Sequence, residues 1–401
     1  MRRLIYIANA RLPTEKAHGY QIAKMCEAFA LNGSDVKLLH PYRRQVELKL
    51  RKRTLFDYYG IRSVFEVRTL SNVDIVPLNP IVRGRGSAAI FFAHALLWGL
   101  YAVLAARMEK ADLYYTRDSQ LAYWLVRLGL PTVYEAHVVY KLGQKWLLRQ
   151  IAPRPELRLV VALTSFIKQQ FGEIGFPAEK VVVLPDGVDL SLFNDLPSKE
   201  ECRRRLGLPL DRPLIGYVGR FRTMEIEKGI PELIEATALL PCIKGKAPLL
   251  LCVGGPMEVV PTYLDQACRF GVPEHRLKFV DRVPNTQVPY WIRACDVVTI
   301  PWPWTEFSAY FTSPMKLFEY MAAGVAIVAS NLPSLREVLR HGENAWLVEP
   351  GGPKALMEGI FRVLLDPALS SRLAEAARQE AAKYTWALRA SAIVDGVRNA
   401  I

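Results

Sequence analysis

The chain has few of the residues that announce a redox centre, a resident metal or a secreted scaffold. Its six cysteines, at 26, 202, 242, 252, 268 and 295, form no CxxC pair and lie on apolar stretches. That excludes a thioredoxin-like motif and a cysteine-rich zinc site, and suits reduced core residues of a cytoplasmic protein. No DxD-like pair and no His/Asp cluster at ligand spacing occurs, so no metal is expected and no cofactor either. The start, MRRLIYIAN, carries two basic residues, but its apolar run is too short for a secretion signal and no cleavage site follows. Short-period repeats are absent. Zinc-finger spacing, an RNP-like segment and a basic region with heptads are absent too, which argues against nucleic acid as a partner.

Acid is also scarce: 39 Asp and Glu stand against 52 Lys and Arg, a net charge of +13. Such a balance suits an anionic membrane face or a phosphorylated small molecule. Two stretches concentrate it, RRQVELKLRKR at 43–53, followed by Phe56, Tyr58 and Tyr59, and KLGQKWLLR at 141–149. Basic residues mixed with Leu, Trp and Tyr match a membrane surface; a pair of solvated basic helices is the plainer reading. The uncharged run AAIFFAHALLWGLYAVLAA, 88–106, imitates a membrane span. It contains His94 and many small residues and runs straight into EKADLYYTRD, so it is read as a buried or membrane-leaning helix of a soluble domain.

At 401 residues, 51% of them apolar, the chain is long enough for two domains of similar size. LIYIANA (4–10), a turn with Pro13 and Gly19, the helix QIAKMCEAFALNG and the strand DVKLLH make a βαβ opening. DLYYTR (112–117), TVYEAHVV (132–139), LVVALTS (159–165) and KVVVLPDGVD (180–189) follow as strands. After a Pro- and charge-rich linker near 190, a second series begins: LIGYVG, PLLLCVGG, LKFVDRV, VVTIPW, VAIVAS and NAWLVE. Strands alternating with helices predict an α/β protein of two Rossmann-like, doubly wound parallel-sheet domains with a ligand in the cleft between them. The expected boundaries are 1–193 for an acceptor-binding domain and 194–380 for a donor-binding domain, with 381–401 as a helix returning to the first.

Two local patterns suggest an anion. In GYVGRFRTMEIEKGI (216–230), Gly219 permits a tight turn, and Arg220 and Lys228 flank a loop at the start of a helix, a natural diphosphate site. In TSPMKLFEYMAAGVAIVAS (312–330), Thr312, Ser313 and Pro314 precede a helix beginning near Met315, whose first amides point out of the turn. Lys316 in that first turn opposes the helix dipole, a cost that a bound anion would offset. Glu319, one turn on, is either a solvent-facing spacer or an acceptor for two ligand hydroxyls. Taken singly, each pattern also reads as a solvated turn or an ordinary capped helix.

PDGVD (185–189), GYVGRF with KGI, LLLCVGGP (249–256), SPMKLFEYMAAGVAIVAS and HGENAWLVEPGGP (341–353) stand in the order and spacing of the retaining GT-B glycosyltransferases of family four. The chain is similar to that family throughout its second half and more loosely in its first, through the opening strand, the glycine and YEAHVV. The resemblance implies a nucleotide-sugar donor, UDP- or GDP-linked, with Arg220 and Lys228 on the diphosphate and the amides around Ser313 and Met315, on either side of Pro314, beside them. It puts Glu319 on the ribose, the backbone of Arg282 and Val283 against the base, Gly19 near the donor phosphates and His137 beside the reacting sugar. Gly219 belongs to the GYVGRF turn, and Lys316 closes the SP-x-K form of the motif, which the chain shares with a subset of the family.

Two departures stand out. Glu319 matches the second of the family's two motif glutamates, and Phe311 occupies the place of the first, which ordinarily faces the donor sugar. Asp186 replaces the usual asparagine of the PNGVD-like turn. The expected reaction is metal-independent hexosyl transfer with retention, to a lipid, a lipid-linked glycan or another glycan precursor. The expected location is the cytoplasm, peripheral to the inner membrane face, as a monomer or homodimer. The alternatives are transfer to a small polyol or secondary metabolite, a related epimerase or phosphorylase, and a non-catalytic nucleotide-sugar binder.

Overall fold

The computed structural model describes residues 3–43, 50, 53–71, 85–138, 142–223 and 226–399. It divides into two compact units, Met1–Pro185 with Trp386–Ile401, and Asp186–Thr385. Each is a parallel sheet with helices on both faces.

In unit 1 seven strands pair in the order β3-β2-β1-β4-β5-β6-β7. They are β1 (Arg3–Ile7), β2 (Asp35–Pro41), β3 (Glu66–Leu70), β4 (Leu113–Thr116), β5 (Thr132–Ala136), β6 (Leu157–Ala162) and β7 (Val181–Val183). The central strands are apolar runs buried on both faces, as crossover helices require. The helices are α1 (Ala17–Leu31), α2 (Leu55–Tyr59), α3 (Arg85–Glu109), α4 (Ser119–Arg127), α5 (Leu142–Ile151) and α6 (Ser165–Glu173). The sheet grows in one direction through α1 and in the other through α3 to α6. Right-handed crossovers therefore put α1 on one face and α3 to α6 on the opposite face.

The uncharged run at 88–106 lies inside α3. Trp98, Ala102, Val103 and Ala106 are buried against Ile5, Ile7, Leu39, Tyr114 and Leu121. Each large apolar side chain so buried contributes about 1.5–3 kcal/mol. Leu97, Leu100, Tyr101, Leu104 and Met108 on the outer side of α3 are exposed. Among the described residues no helix is long and apolar enough to cross a membrane.

Unit 2 holds a six-stranded parallel sheet in the order β12-β11-β8-β13-β14-β15. The strands are β8 (Leu214–Val218), β11 (Leu249–Val253), β12 (Leu277–Val280), β13 (Val297–Ile300), β14 (Ala326–Ser330) and β15 (Trp346–Val348); β9 (Arg222–Thr223) and β10 (Ile226–Glu227) form a small hairpin beside them. The linker contains one short helix, α7 (Lys199–Arg205). Then come α8 (Ile230–Leu239), α9 (Val260–Arg269), α10 (Val288–Arg293), α11 (Glu306–Tyr310), α12 (Met315–Ala322), α13 (Pro333–Arg336), α14 (Pro353–Leu365) and α15 (Pro367–Ala381). One core packs α10, α12 and α15 on the sheet, and the other packs α8, α9 and α14. The last helix, α16 (Trp386–Asn399), lies in unit 1 beside α1 and against β6.

The structure corrects several local readings. Cys26, Cys202, Cys252 and Cys295 are buried, but Cys242 and Cys268 are exposed, because one follows the end of α8 and the other lies on the wet side of α9. Strands stop before their apolar runs do: β5 ends at Ala136, so His137 starts the loop, and PDGVD lies wholly beyond β7. Gly19 sits in the first turn of α1 rather than in a loop. Of the two basic stretches, residues 44–49 and 51–52 of the first and Lys141 of the second lie outside the described residues.

Candidate anion and donor site

In unit 2 the site is built at the carboxyl end of β8. Gly219, with φ +143°, turns the chain there, and a Cβ on it would lie 2.4 Å from Lys316 Nζ. The missing side chain therefore leaves room for the Lys316 ammonium. Tyr320 of α12 donates its hydroxyl to the Val218 carbonyl at 3.1 Å and accepts from the Val218 N–H at 2.7 Å, fixing the helix to the strand end. Gly229, with φ +80°, lets the loop bearing Lys228 lie flat on the chain before Trp302: a Cβ there would be 1.8 Å from the Pro301 carbonyl oxygen.

Two cations meet in this space. Lys316 Nζ lies 3.8 Å from the centre of the Tyr217 ring and 5.9 Å from that of Trp302. Lys228 Nζ lies 4.6 Å from the centre of the Trp302 ring. Among the described residues neither ammonium makes a hydrogen bond or an ion pair. An unpaired buried ammonium costs several kcal/mol, of which a ring contact returns about 0.5–2 kcal/mol. Burial pulls the Lys228 ammonium below its usual range. Burial and then the charge of Lys228 hold Lys316 well below it. Burial pushes the Glu319 carboxyl up to about 7, against the opposing pull of Lys316. Two lysines that make no hydrogen bond or ion pair, with one carboxyl raised to about 7 as the acid acting on Lys316, make an anion site.

The TSP turn has a second function. Ser313 Oγ accepts the backbone N–H of Asp186 at 2.8 Å, so PDGVD is tied to this turn. Thr312 Oγ1 donates to the Ser308 carbonyl at 3.0 Å. Pro314 precedes the first helical residue, Met315, and no side chain caps that end of α12. Its first amides are thus left to a ligand or to water. Phe311 is buried. The Arg220 side chain is partly buried and reaches the Arg222 carbonyl through Nε at 3.5 Å. Arg282 and Val283 follow β12, and the Arg282 N–H donates to Asp281 Oδ1 at 2.7 Å.

In unit 1, His137 belongs to a charge network. Its Nε2 lies 2.7 Å from Glu135 Oε1, and Arg117 Nη2 donates to its Nδ1 at 3.1 Å. Since a guanidinium can only donate, Nδ1 accepts and Nε2 carries the proton. Both ring nitrogens are engaged. Burial and then Arg117 take the His137 imidazole down to about 4. Glu135 is fully buried and also accepts from Gln21 Nε2 at 2.6 Å, from the Tyr115 hydroxyl and from Arg389 Nη1 at 2.9 Å. Burial raises its carboxyl, but Arg389, His137 and Arg117 outweigh that and hold it well below the ordinary carboxylate range. Arg117 Nη1 reaches the His18 carbonyl at 3.5 Å. At the neighbouring Gly19, a Cβ would lie 2.0 Å from the Tyr59 hydroxyl, so this glycine is required by packing.

The structure thus gathers Gly219, Lys228, Lys316 and Glu319 in unit 2, with Ser313, Pro314 and Met315 on the adjoining turn. It sets His137 and the His18 carbonyl, which precedes Gly19, around Arg117 in unit 1. Sequence reasoning missed Trp302 and Tyr217, which face the two lysines, and Arg117 and Glu135, which fix His137. The repeated PWPW after β13 was the available signal for Trp302.

The family described as Glycosyltransferase Family 4 matches residues 20–192, and that described as Glycosyl transferases group 1 matches residues 198–380. The D-inositol 3-phosphate glycosyltransferase of Thermobispora bispora is 27% identical over 295 residues, covering 68% of this chain and 66% of its own length. The chain therefore spans slightly less than two thirds of that relative. Anabaena HepE, in complex with UDP and glucose, superposes over all of both chains with a TM-score of 0.69 at 20% identity. A glycosyltransferase from Rickettsia africae covers all of this chain and 98% of its own with a TM-score of 0.72 at 16% identity; both likenesses bear on the fold. With two matched families in tandem, each on its own parallel-sheet unit, the chain belongs to the glycosyltransferases of the GT-B type.

Proposed function

We propose that this protein transfers a hexosyl group, with retention at the anomeric carbon, from a UDP- or GDP-linked sugar to an acceptor hydroxyl. The observation that carries this reading is the pair of lysines, buried Lys228 and half-buried Lys316, that face aromatic rings and make no hydrogen bond or ion pair among the described residues, with Glu319 the one acid acting on Lys316. A diphosphate supplies the missing charge. As the anomeric C–O bond breaks, negative charge grows on the departing nucleoside diphosphate. Lys228, Arg220 and the open amides of α12 stabilise it as it develops. The acceptor hydroxyl forms the new C–O bond from the same face and gives its proton to the leaving phosphate. Lys316 holds the diphosphate with Gly219 beneath it, and Glu319 accepts the ribose hydroxyls. By the family resemblance the backbone of Arg282 and Val283 is assigned to the base and Gly19 to the donor phosphates. His137, with both ring nitrogens engaged, has a positioning role. The UDP and glucose in the HepE complex support a donor of this class.

The acceptor is a lipid, a lipid-linked glycan or another glycan precursor at an anionic membrane surface. Supporting this, α3 to α5 share one face of unit 1. The exposed Leu97, Leu100, Tyr101, Leu104 and Met108 of α3 and Trp146 of α5 accompany exposed Arg107, Arg127 and Arg149. Glu109, the one acid in these helices, is paired with Arg3, Lys37 and Arg68. A small phosphorylated polyol is the second reading, favoured by the relatives named D-inositol 3-phosphate glycosyltransferase.

Calorimetric titration with UDP- and GDP-sugars, followed by acceptor-dependent release of nucleotide, tests the reaction. The expected product keeps the donor's anomeric configuration by NMR, and turnover persists in EDTA. Failure to bind any nucleotide sugar would sink the proposal.

A further inference from the structure

We propose that Trp302 is a positioning residue of the anion site, its indole fixing Lys228 and Lys316 for a diphosphate. This rests on the donor reading above and adds a residue to it. Three features of the geometry lead here. First, both ammonium groups lie within cation–π range of the one indole, at 4.6 and 5.9 Å from its ring centre. Second, neither ammonium makes a hydrogen bond or ion pair among the described residues, Glu319 acting on Lys316 only from beyond ion-pair distance, so the rings are the direct contacts that define where these cations rest. Third, the chain is shaped to allow it. Gly229 lets the Lys228 loop press on Pro301, and Gly219 clears the volume that Lys316 enters on its way to the Tyr217 and Trp302 rings.

Trp302 also packs into the sheet core with 5% of its surface exposed, so its plain role is core filling. The two roles differ in what they demand. A core position needs apolar bulk; a cation platform needs a π face. An ammonium held by a ring keeps its N–H donors unspent, because the quadrupole attracts charge without taking a hydrogen bond. The diphosphate then meets two cations at a set separation that have few bonds to break. Two adjacent phosphoryl groups can use both at once, whereas a single phosphate or a bare nucleoside cannot.

The test compares Trp302→Phe, which keeps an aromatic face, with Trp302→Leu, which keeps bulk alone. UDP, GDP and inorganic pyrophosphate are titrated against each, with uridine and guanosine as uncharged controls. The expected result is that Trp302→Phe stays within about threefold of wild type. Trp302→Leu loses about tenfold for the diphosphates and pyrophosphate, with nucleoside affinity unchanged. Equal diphosphate affinity in Trp302→Leu and wild type would overturn the proposal and leave the donor reading intact. So would an equal loss for nucleosides, which marks general collapse of the site. Should Trp302→Leu fail to fold, Trp302→Met supplies the same comparison. If wild type binds neither UDP, GDP nor pyrophosphate, the donor reading itself falls, and this proposal with it.

Discussion

The backbone N–H of Asp186 donates to the Ser313 hydroxyl at 2.8 Å, joining segments 127 residues apart. The PDGVD turn and the TSP turn are therefore one structural object. Ser313→Ala removes the acceptor and is expected to cost about 1–3 kcal/mol, because a partly buried N–H loses its partner. Urea unfolding measures it. Thr at this position, which keeps the hydroxyl, is expected to restore most of the loss.

Lys316 and Lys228 are expected to separate stability from activity. Lys316→Met replaces a half-buried cation that makes no hydrogen bond or ion pair by an apolar chain of similar reach, and Glu319 can take up a proton in its place, so the melting temperature holds or rises. Turnover falls about 10²–10³-fold, the usual effect of removing one stabiliser of developing charge. Lys228→Met behaves alike. Near-normal turnover in either variant would remove that lysine from the diphosphate.

The two units are expected to respond to acid in opposite senses. The Glu319 carboxyl is raised to about 7, so its favourable protonation is present at low pH and lost as pH rises through 7. Between pH 7 and pH 5 it adds about 2 kcal/mol to unit 2. His40 and His137 are lowered to about 4. Their contribution is present above the ordinary histidine range and is lost as pH falls toward 4, about 2 kcal/mol each at pH 5. Hydrogen exchange followed separately in each unit reads both slopes. The difference between wild type and Glu319→Gln isolates the carboxyl from Lys316.

Much of this architecture can be read from residues 4–10, 214–219 and 297–302, because strands buried on both faces must be short apolar runs. The edge strand β3, EVRTL, gives no such run, since most of its side chains face water. The two-residue strands β9 and β10 carry no periodic signal at all. Lys228, Lys316 and Glu319 were legible because each breaks a local rule, a cation at a helix start or an acid among apolar neighbours. Trp302 and Glu135 break none. An indole after a β-branched run and an acid within YEA look like ordinary filling, and their meaning lies in partners far along the chain.

Arg389 is expected to be the costliest single loss in unit 1. Its Nη1 holds the buried Glu135 carboxylate at 2.9 Å, and its Nε donates to the Pro185 carbonyl at 2.9 Å. Arg389→Met removes the strongest of the charges that hold the buried Glu135 carboxylate, leaving Arg117 as its remaining cation, at about 3–5 kcal/mol. Adding Glu135→Gln is expected to recover a large part of this, and a double-mutant cycle of unfolding free energies measures the coupling.

The exposed face of α3 is expected to bind anionic vesicles at low salt and to release them as salt rises. Leu104→Glu places a charge in the middle of that face and is expected to weaken vesicle binding at least tenfold without changing UDP or GDP affinity. Binding that ignores both salt and this substitution would leave the face without a membrane role.

The placement of α16 sets the order in which the molecule can be completed. During synthesis β1 to β7 emerge before unit 2, yet the helix that packs beside α1 and delivers Arg389 to Glu135 emerges only after all of unit 2. Unit 2 can close while unit 1 still lacks its final helix. A ribosome stalled before Trp386 would then display a finished second domain beside a first domain missing that helix, the kind of intermediate that chaperones recognise by its uncovered apolar face.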